Sequence, residues 1–212
     1  MTSVKKFFND YVEDFDAIYG EKQTFLKTLV NSFFRQSMKE RFERTIMNCY
    51  PINDKTVLDV GCGPGHYCIA LAQNGAKEVL GIDFSKEMIK TAEKKAISNK
   101  LSHKCNFIVA DVNSFNPKQK FDYAIVMGVM DYIDTPEKFI KKILSLVNDK
   151  ILFSFPVDGG ILAWQRKLRY NNKCFLKMYM KDELENIFDR LCPNQYVIEK
   201  LHRDFFVSIK KK

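Results

Sequence analysis

The 212-residue sequence predicts an α/β fold: a doubly wound, seven-stranded sheet, mostly parallel, that ends in an antiparallel hairpin. Three observations carry this reading. Short apolar and β-branched runs suited to buried strands recur at TVLDV (56–60), EVLGID (78–83), NFIVAD (106–111), FDYAIV (121–126) and KILFSF (150–155). Stretches with helical spacing of apolar residues alternate with them, the pattern of parallel strands covered on both faces. Two last runs, YVIEKL (196–201) and FFVSIK (205–210), are joined only by His202–Asp204 and are expected to pair with each other.

Residues 1–48 read as helices in front of the first strand. Phe7/Phe8, Tyr11/Val12, Phe15 and Ile18/Tyr19 recur at helical spacing, and Gly20 punctuates. Phe25/Leu26, Leu29/Val30, Phe33/Phe34, Met38, Phe42 and Ile46 then repeat the pattern. This gives an N-terminal helical cap (1–48) and a main domain (49–212). Within the latter, His66–Gln73 is a short helix, and Ser85 caps a helix reaching about Ile97, its oxygen accepting from an orphan amide of the first turn. Pro136 suits a helix start, and Phe139, Ile143 and Leu146/Val147 give that helix its apolar face. Residues 158–179 read as a lid insertion hinged at Gly159 and Gly160, and 181–190 as a short helix.

Composition narrows the class. With 46% hydrophobic and 28% charged residues, the chain has the material for a packed core rather than disorder. No apolar run approaches the ~20 residues of a membrane span. The N-terminus, MTSVKKFFNDYVEDFD, turns acidic where a signal peptide would be greasy, so a soluble cytoplasmic protein is expected. Cysteines at 49, 62, 68, 105, 174 and 192 form no C-x-x-C pair and the three histidines are scattered, which fits buried thiols; no metal site is expected. The net charge of +8 fits a lysine-rich solvated surface, or a role in holding an anionic substrate.

The stretch LDVGCGPGHY (58–67) brings backbone close to a ligand. A dinucleotide loop of the form G-x-G-x-x-G would seat pyrophosphate on the following helix. Here the glycines are Gly61, Gly63 and Gly65, and His66 stands where that pattern has its last glycine. Asp59, two residues upstream, would repel pyrophosphate and welcome an ammonium group. A nucleoside with a cationic end is the better match.

On those residues, LDVGCGPGHY resembles the first motif of the class I S-adenosylmethionine (SAM)-dependent methyltransferases. Further motifs follow in order: GIDFSKEMI (81–89) is similar to the second, FIVADVNSF (107–115) to the third and FDYAIVMGVMDYI (121–133) to the fourth. The resemblance runs from about residue 56 to the C-terminus. It implies a Rossmann-like fold with SAM as cofactor and S-adenosylhomocysteine (SAH) as product. Gly61, Cys62, Gly63 and Gly65 would then admit the methionine part, and Asp59 would bind its ammonium, directly or through water. Asp83 would accept both ribose hydroxyls. Phe84 and Met88 would pack on adenine, Asp111 and the Val112 amide would read its amino edge, and Met127 and Gly128 would line the methionine end. Tyr11 and Tyr19 can close over the ligand. The sites fall at carboxyl ends of strands, where open α/β sheets bind ligands.

The same resemblance implies in-line methyl transfer, which requires alignment of a nucleophile within about 3–3.5 Å and exclusion of water. A weakly acidic nucleophile also needs a base. His66, Asp131 and Tyr132 are the candidates. The Asn/Asp-Pro-Pro-aromatic motif of amino-methylating nucleic-acid enzymes is replaced by MGVMDYI, and no cysteine stands at the fourth or fifth strand end for cytosine-C5 chemistry. Asp131 and Asp134 have the residue types of metal-dependent catechol enzymes, at an unspecific spacing.

A small-molecule acceptor methylated at oxygen or nitrogen, anionic or aromatic, is therefore expected, with nucleic acid not expected as a partner. The 158–179 insertion holds Trp164 beside Arg166, Lys167, Arg169, Lys173 and Lys177, which suits such an acceptor. It would equally suit RNA. RNA or protein methylation is the alternative, and a SAM-binding module without turnover a third reading. The overall plan is broadly similar to the magnesium-protoporphyrin O-methyltransferases, although Asp131 stands near the place where that group typically has a histidine. The oligomeric state is left open.

Overall fold

In the computed structural model, which describes residues 25–160, 163–164, 166 and 175–211, the chain runs α1 (Phe25–Asn48), β1 (Thr56–Val60), α2 (His66–Gln73), β2 (Glu78–Asp83), α3 (Lys86–Ser98), β3 (Cys105–Val109), β4 (Phe121–Val126), α4 (Pro136–Leu146), β5 (Val147–Pro156), α5 (Lys181–Leu191), β6 (Tyr196–Lys200) and β7 (Asp204–Lys210). A 3₁₀ turn at Met130–Tyr132 follows β4. The strands form one sheet in the order β3-β2-β1-β4-β5-β7-β6. β1 to β5 are parallel, and β7 runs antiparallel to both β5 and β6.

The two sheet faces follow from side-chain alternation along each strand. Val57, Val79, Tyr123, Ile125 and Leu152 face α1 and α2 in one core. Leu58, Val60, Ile82, Ala124, Val126, Ile151 and Phe153 face α4 and α5 in the other. The central parallel strands β1, β2, β4 and β5 are largely buried on both faces, which is why they read as continuous apolar runs, whereas the edge strand β3 is partly exposed.

The expected strands at 56–60, 78–83 and 121–126 match the observed spans, and the C-terminal hairpin forms as expected. Ser85 caps α3, accepting from the Met88 amide at 3.4 Å. Two boundaries differ by more than one residue. β5 begins at Val147, which pairs with Phe121 across the sheet instead of extending the apolar face of α4. β3 covers Cys105–Val109 rather than 106–111, because Asp111 is drawn into a turn in which its Oδ1 accepts from the Asn113 amide and side chain, both at 2.9 Å. The expected helices before residue 25, with Tyr11 and Tyr19, lie outside the described residues. So do half of the 158–179 insertion and Cys174; the other five cysteines are free and buried.

Candidate active site at the carboxyl edge of the sheet

The parallel strands β1, β2 and β4 end at one edge. There the 61–65 loop, Asp83 and the segment after Val126 converge. Gly61 and Cys62 donate their amides to the Ile82 carbonyl at 2.8 and 3.1 Å, tying the loop to the end of β2. The Gly63 amide donates to Asp83 Oδ2 at 3.0 Å, and the Ser85 amide to Oδ1 at 2.8 Å. Asp83 is only 8% exposed, and burial raises its pKa against the pull of these amides. Each carboxylate oxygen retains a lone pair for a further donor, so a ribose diol can be accepted without displacing the loop.

Gly63 combines a left-handed backbone with open space above it. Its φ is +51°, and a Cβ built there meets nothing within 4 Å. The glycine is thus demanded by backbone conformation, and the space above it is open. Gly63→Arg is expected to fold, with strain of about 1–2 kcal/mol from the left-handed conformation. Its side chain fills the loop mouth, so calorimetry should detect no SAH binding while thermal unfolding stays cooperative.

Asp59, 1% exposed, lies beneath the loop. Burial pushes its carboxyl up to about 7, and the Cys68 thiol donates to it at 3.1 Å. A buried acid of this kind is poised to ionise when a cation arrives. Phe84 is half-buried at the start of α3, Met88 is fully packed, and Val112 is buried behind the Asp111 turn. After β4, the buried Met127 receives the Thr45 hydroxyl on its sulfur at 3.4 Å, and the Gly128 amide donates to the buried Ser154 hydroxyl at 2.8 Å.

The three candidate bases differ in their surroundings. His66 opens α2 but turns toward α3, with Nε2 3.2 Å from Lys95 Nζ. An ammonium there donates to Nε2, occupying the lone pair that a base would use. Asp131 is buried, its Oδ2 lies 3.8 Å from Arg166 Nε, and burial raises its pKa while Arg166 opposes the shift. Tyr132 is half-buried in the 3₁₀ turn. Among the described residues no cluster of acids, histidines and cysteines could hold a metal, so Asp131 and Asp134 are not brought together with a third ligand.

Two of the insertion's cations, Arg166 and Lys177, are paired within the chain. Arg166 does not face an open acceptor: it is buried and pairs with Asp204 at 3.1 Å. Lys177 pairs with Glu183 at 3.2 Å and lies over the Tyr179 ring. Trp164 is 62% exposed.

Sequence reasoning missed a wall of the site. Helix α1 packs on α2 through Phe42 and Tyr67, whose rings are 5.0 Å apart, and reaches the end of β4 through Thr45. Its Arg41 projects a guanidinium to 3.5 Å from a Cβ position built on Gly128, and donates to Asp204 Oδ2 at 3.1 Å. The available signal was an arginine on the apolar stripe Met38–Phe42–Ile46, where a cation must find a buried partner.

The comparisons agree with this architecture. Residues 52–190 match the family model for a methyltransferase domain. Among curated relatives, a tRNA U34 carboxymethyltransferase from Pasteurella multocida is 28% identical over 126 residues, covering 57% of this chain and 39% of that protein. A ubiquinone biosynthesis O-methyltransferase from Bradyrhizobium diazoefficiens is 27% identical over 115 residues, covering 54% and 44%. The matched stretch thus spans less than half the length of these relatives. In fold, the chain is similar to the magnesium protoporphyrin IX methyltransferase from Synechocystis crystallised with SAH: TM-score 0.80, 20% identity, 100% of this chain and 99% of that one.

Proposed function

Since the chain belongs to the methyltransferase domain family, with the class I SAM-dependent fold, we propose that it transfers the methyl group of SAM to a small-molecule acceptor. Asp83 takes the ribose hydroxyls, the 61–65 loop admits the methionine part, and Asp59 compensates its ammonium. Phe84 and Met88 flank adenine, and Asp111 with the Val112 amide meets its amino edge. Met127 and Gly128 line the methionine end, where Arg41 supplies a cation for the carboxylate. SAM brings a positively charged sulfur that is already a good leaving group. The chain's part is to align the acceptor and exclude water. Neither His66 nor Asp131 is held as an open base, so an acceptor that is already nucleophilic suits the site best.

The observation that favours a small acceptor is the inward pairing of Arg166, which serves the buried carboxylate of Asp204 instead of facing outward as part of a phosphate-binding surface. RNA is the second reading, favoured by the likeness to the tRNA-modifying relative. Purified protein and SAM with an isotope-labelled methyl group, added to a cell extract, separate the two. Label is expected in the small-molecule fraction and to be absent with Gly63→Arg. Label in RNA, falling steeply with added salt as phosphate contacts release counterions, would overturn the small-molecule reading.

A further inference from the structure

Three buried charged side chains and the nearly buried Arg41 form one network beside the end of β4. Asp204 divides its two oxygens between two arginines. Oδ2 accepts from Arg41 Nη1 at 3.1 Å; Oδ1 accepts from Arg166 Nη1 and Nη2 at 3.2 and 3.1 Å. Arg166 Nε faces Asp131 Oδ2 at 3.8 Å. Arg166, Asp131 and Asp204 are all buried, and the side chain of Arg41 is 11% exposed. Two cations balance two anions, as burial requires.

The topology explains how Asp204 comes to be there. It is the first residue of β7, paired with Pro156 at the end of β5. Because β7 is antiparallel, its amino end lies at the same edge as the carboxyl ends of the parallel strands. The strand therefore delivers a carboxylate to the ligand-binding edge from a direction that the usual carboxyl-end rule does not cover.

We propose that Asp204 is a positioning residue of the cofactor site: it orients Arg41 so that Nη2 faces the methionine end at Gly128, while clamping Arg166 on its other oxygen. This rests on the reading of the cleft as a SAM site. A guanidinium is a planar fork, so fixing one nitrogen on a carboxylate fixes the direction of the others. Removing the carboxylate leaves Arg41 near the site but unaimed. The interaction lost is the one to the ligand's carboxylate; the adenosine half is untouched.

That asymmetry supplies the test. Calorimetry on the purified full chain compares SAH with 5′-methylthioadenosine, which shares the nucleoside and lacks the amino-acid end. Asp204→Asn should weaken SAH about tenfold, the scale of one charged hydrogen bond, and leave methylthioadenosine within about twofold. In an Arg41→Met background, Asp204→Asn should add little further loss, because the two act through one contact. Equal weakening of both ligands, or unchanged SAH binding, overturns the proposal. If Asp204→Asn does not fold, Asp204→Glu, which keeps the charge but shifts it by one methylene, carries the same comparison of ligands. Failure of the unsubstituted protein to bind either ligand would instead refute the cofactor site itself.

Discussion

Asp83→Ala is expected to weaken SAH binding by at least about 100-fold, since two hydroxyl donors lose a charged acceptor worth roughly 1.5–3 kcal/mol each. The loss has two parts. The ribose loses its partner, and the Gly63 amide, held by Asp83 Oδ2 at 3.0 Å, loses the anchor that shapes the loop. Asp83→Asn separates them. The side-chain oxygen of asparagine can still accept from one amide, so loop shape is partly kept while the charge is lost. An intermediate affinity is expected, measured by calorimetry against unsubstituted protein. Wild-type affinity in Asp83→Ala would show that the ribose lies elsewhere.

The second large effect is a pH dependence set by Asp59. Burial, the dominant cause, raises its carboxyl to about 7 from an ordinary 3.8; the Cys68 hydrogen bond opposes this and the charge of Asp83 adds to it. The folded chain therefore holds a proton on Asp59 between about pH 4 and 7 that the unfolded chain has released. This group's contribution to stability falls as pH rises through that window and is level above about 7. Ligand binding runs the other way. An ammonium brought to the loop favours the ionised carboxylate, so binding below pH 7 expels the proton. SAH affinity should rise about tenfold per pH unit toward 7 and then level off. Calorimetry at pH 6 in two buffers of different ionisation heat should register release of about one proton. Asp59→Asn should bind more weakly at pH 8 and lose most of the slope, leaving what Asp83, also raised by burial, contributes at lower pH.

Much of this was legible in the sequence because it is local. TVLDV, EVLGID and FDYAIV are buried on both faces and so declare themselves as apolar runs whose ends are set by turn residues. The loop glycines and Asp83 lie next to those ends. What escaped is non-local. Asp204 and Arg41 are 163 residues apart in the chain and meet only because β7 runs antiparallel. Arg166 reads as one cation among five in a basic insertion, and nothing near it in sequence announces the two aspartates that bury it. Val147 suits either element by its apolar character; only pairing with Phe121 decides. The start of α2 at His66 is legible locally, but the turn of its ring toward Lys95 depends on a residue 29 positions further on.

The most direct measurement is a crystal structure of the full chain with SAH. The ribose hydroxyls should lie within hydrogen-bond distance of Asp83, the amino-acid end between Gly63 and Gly128 with its carboxylate on Arg41, and adenine beside Phe84 and Met88. SAH bound away from Asp83, or lying across the loop with its amino-acid end remote from Asp59 and Arg41, would contradict the assignment of this edge of the sheet as the methyl-donor site.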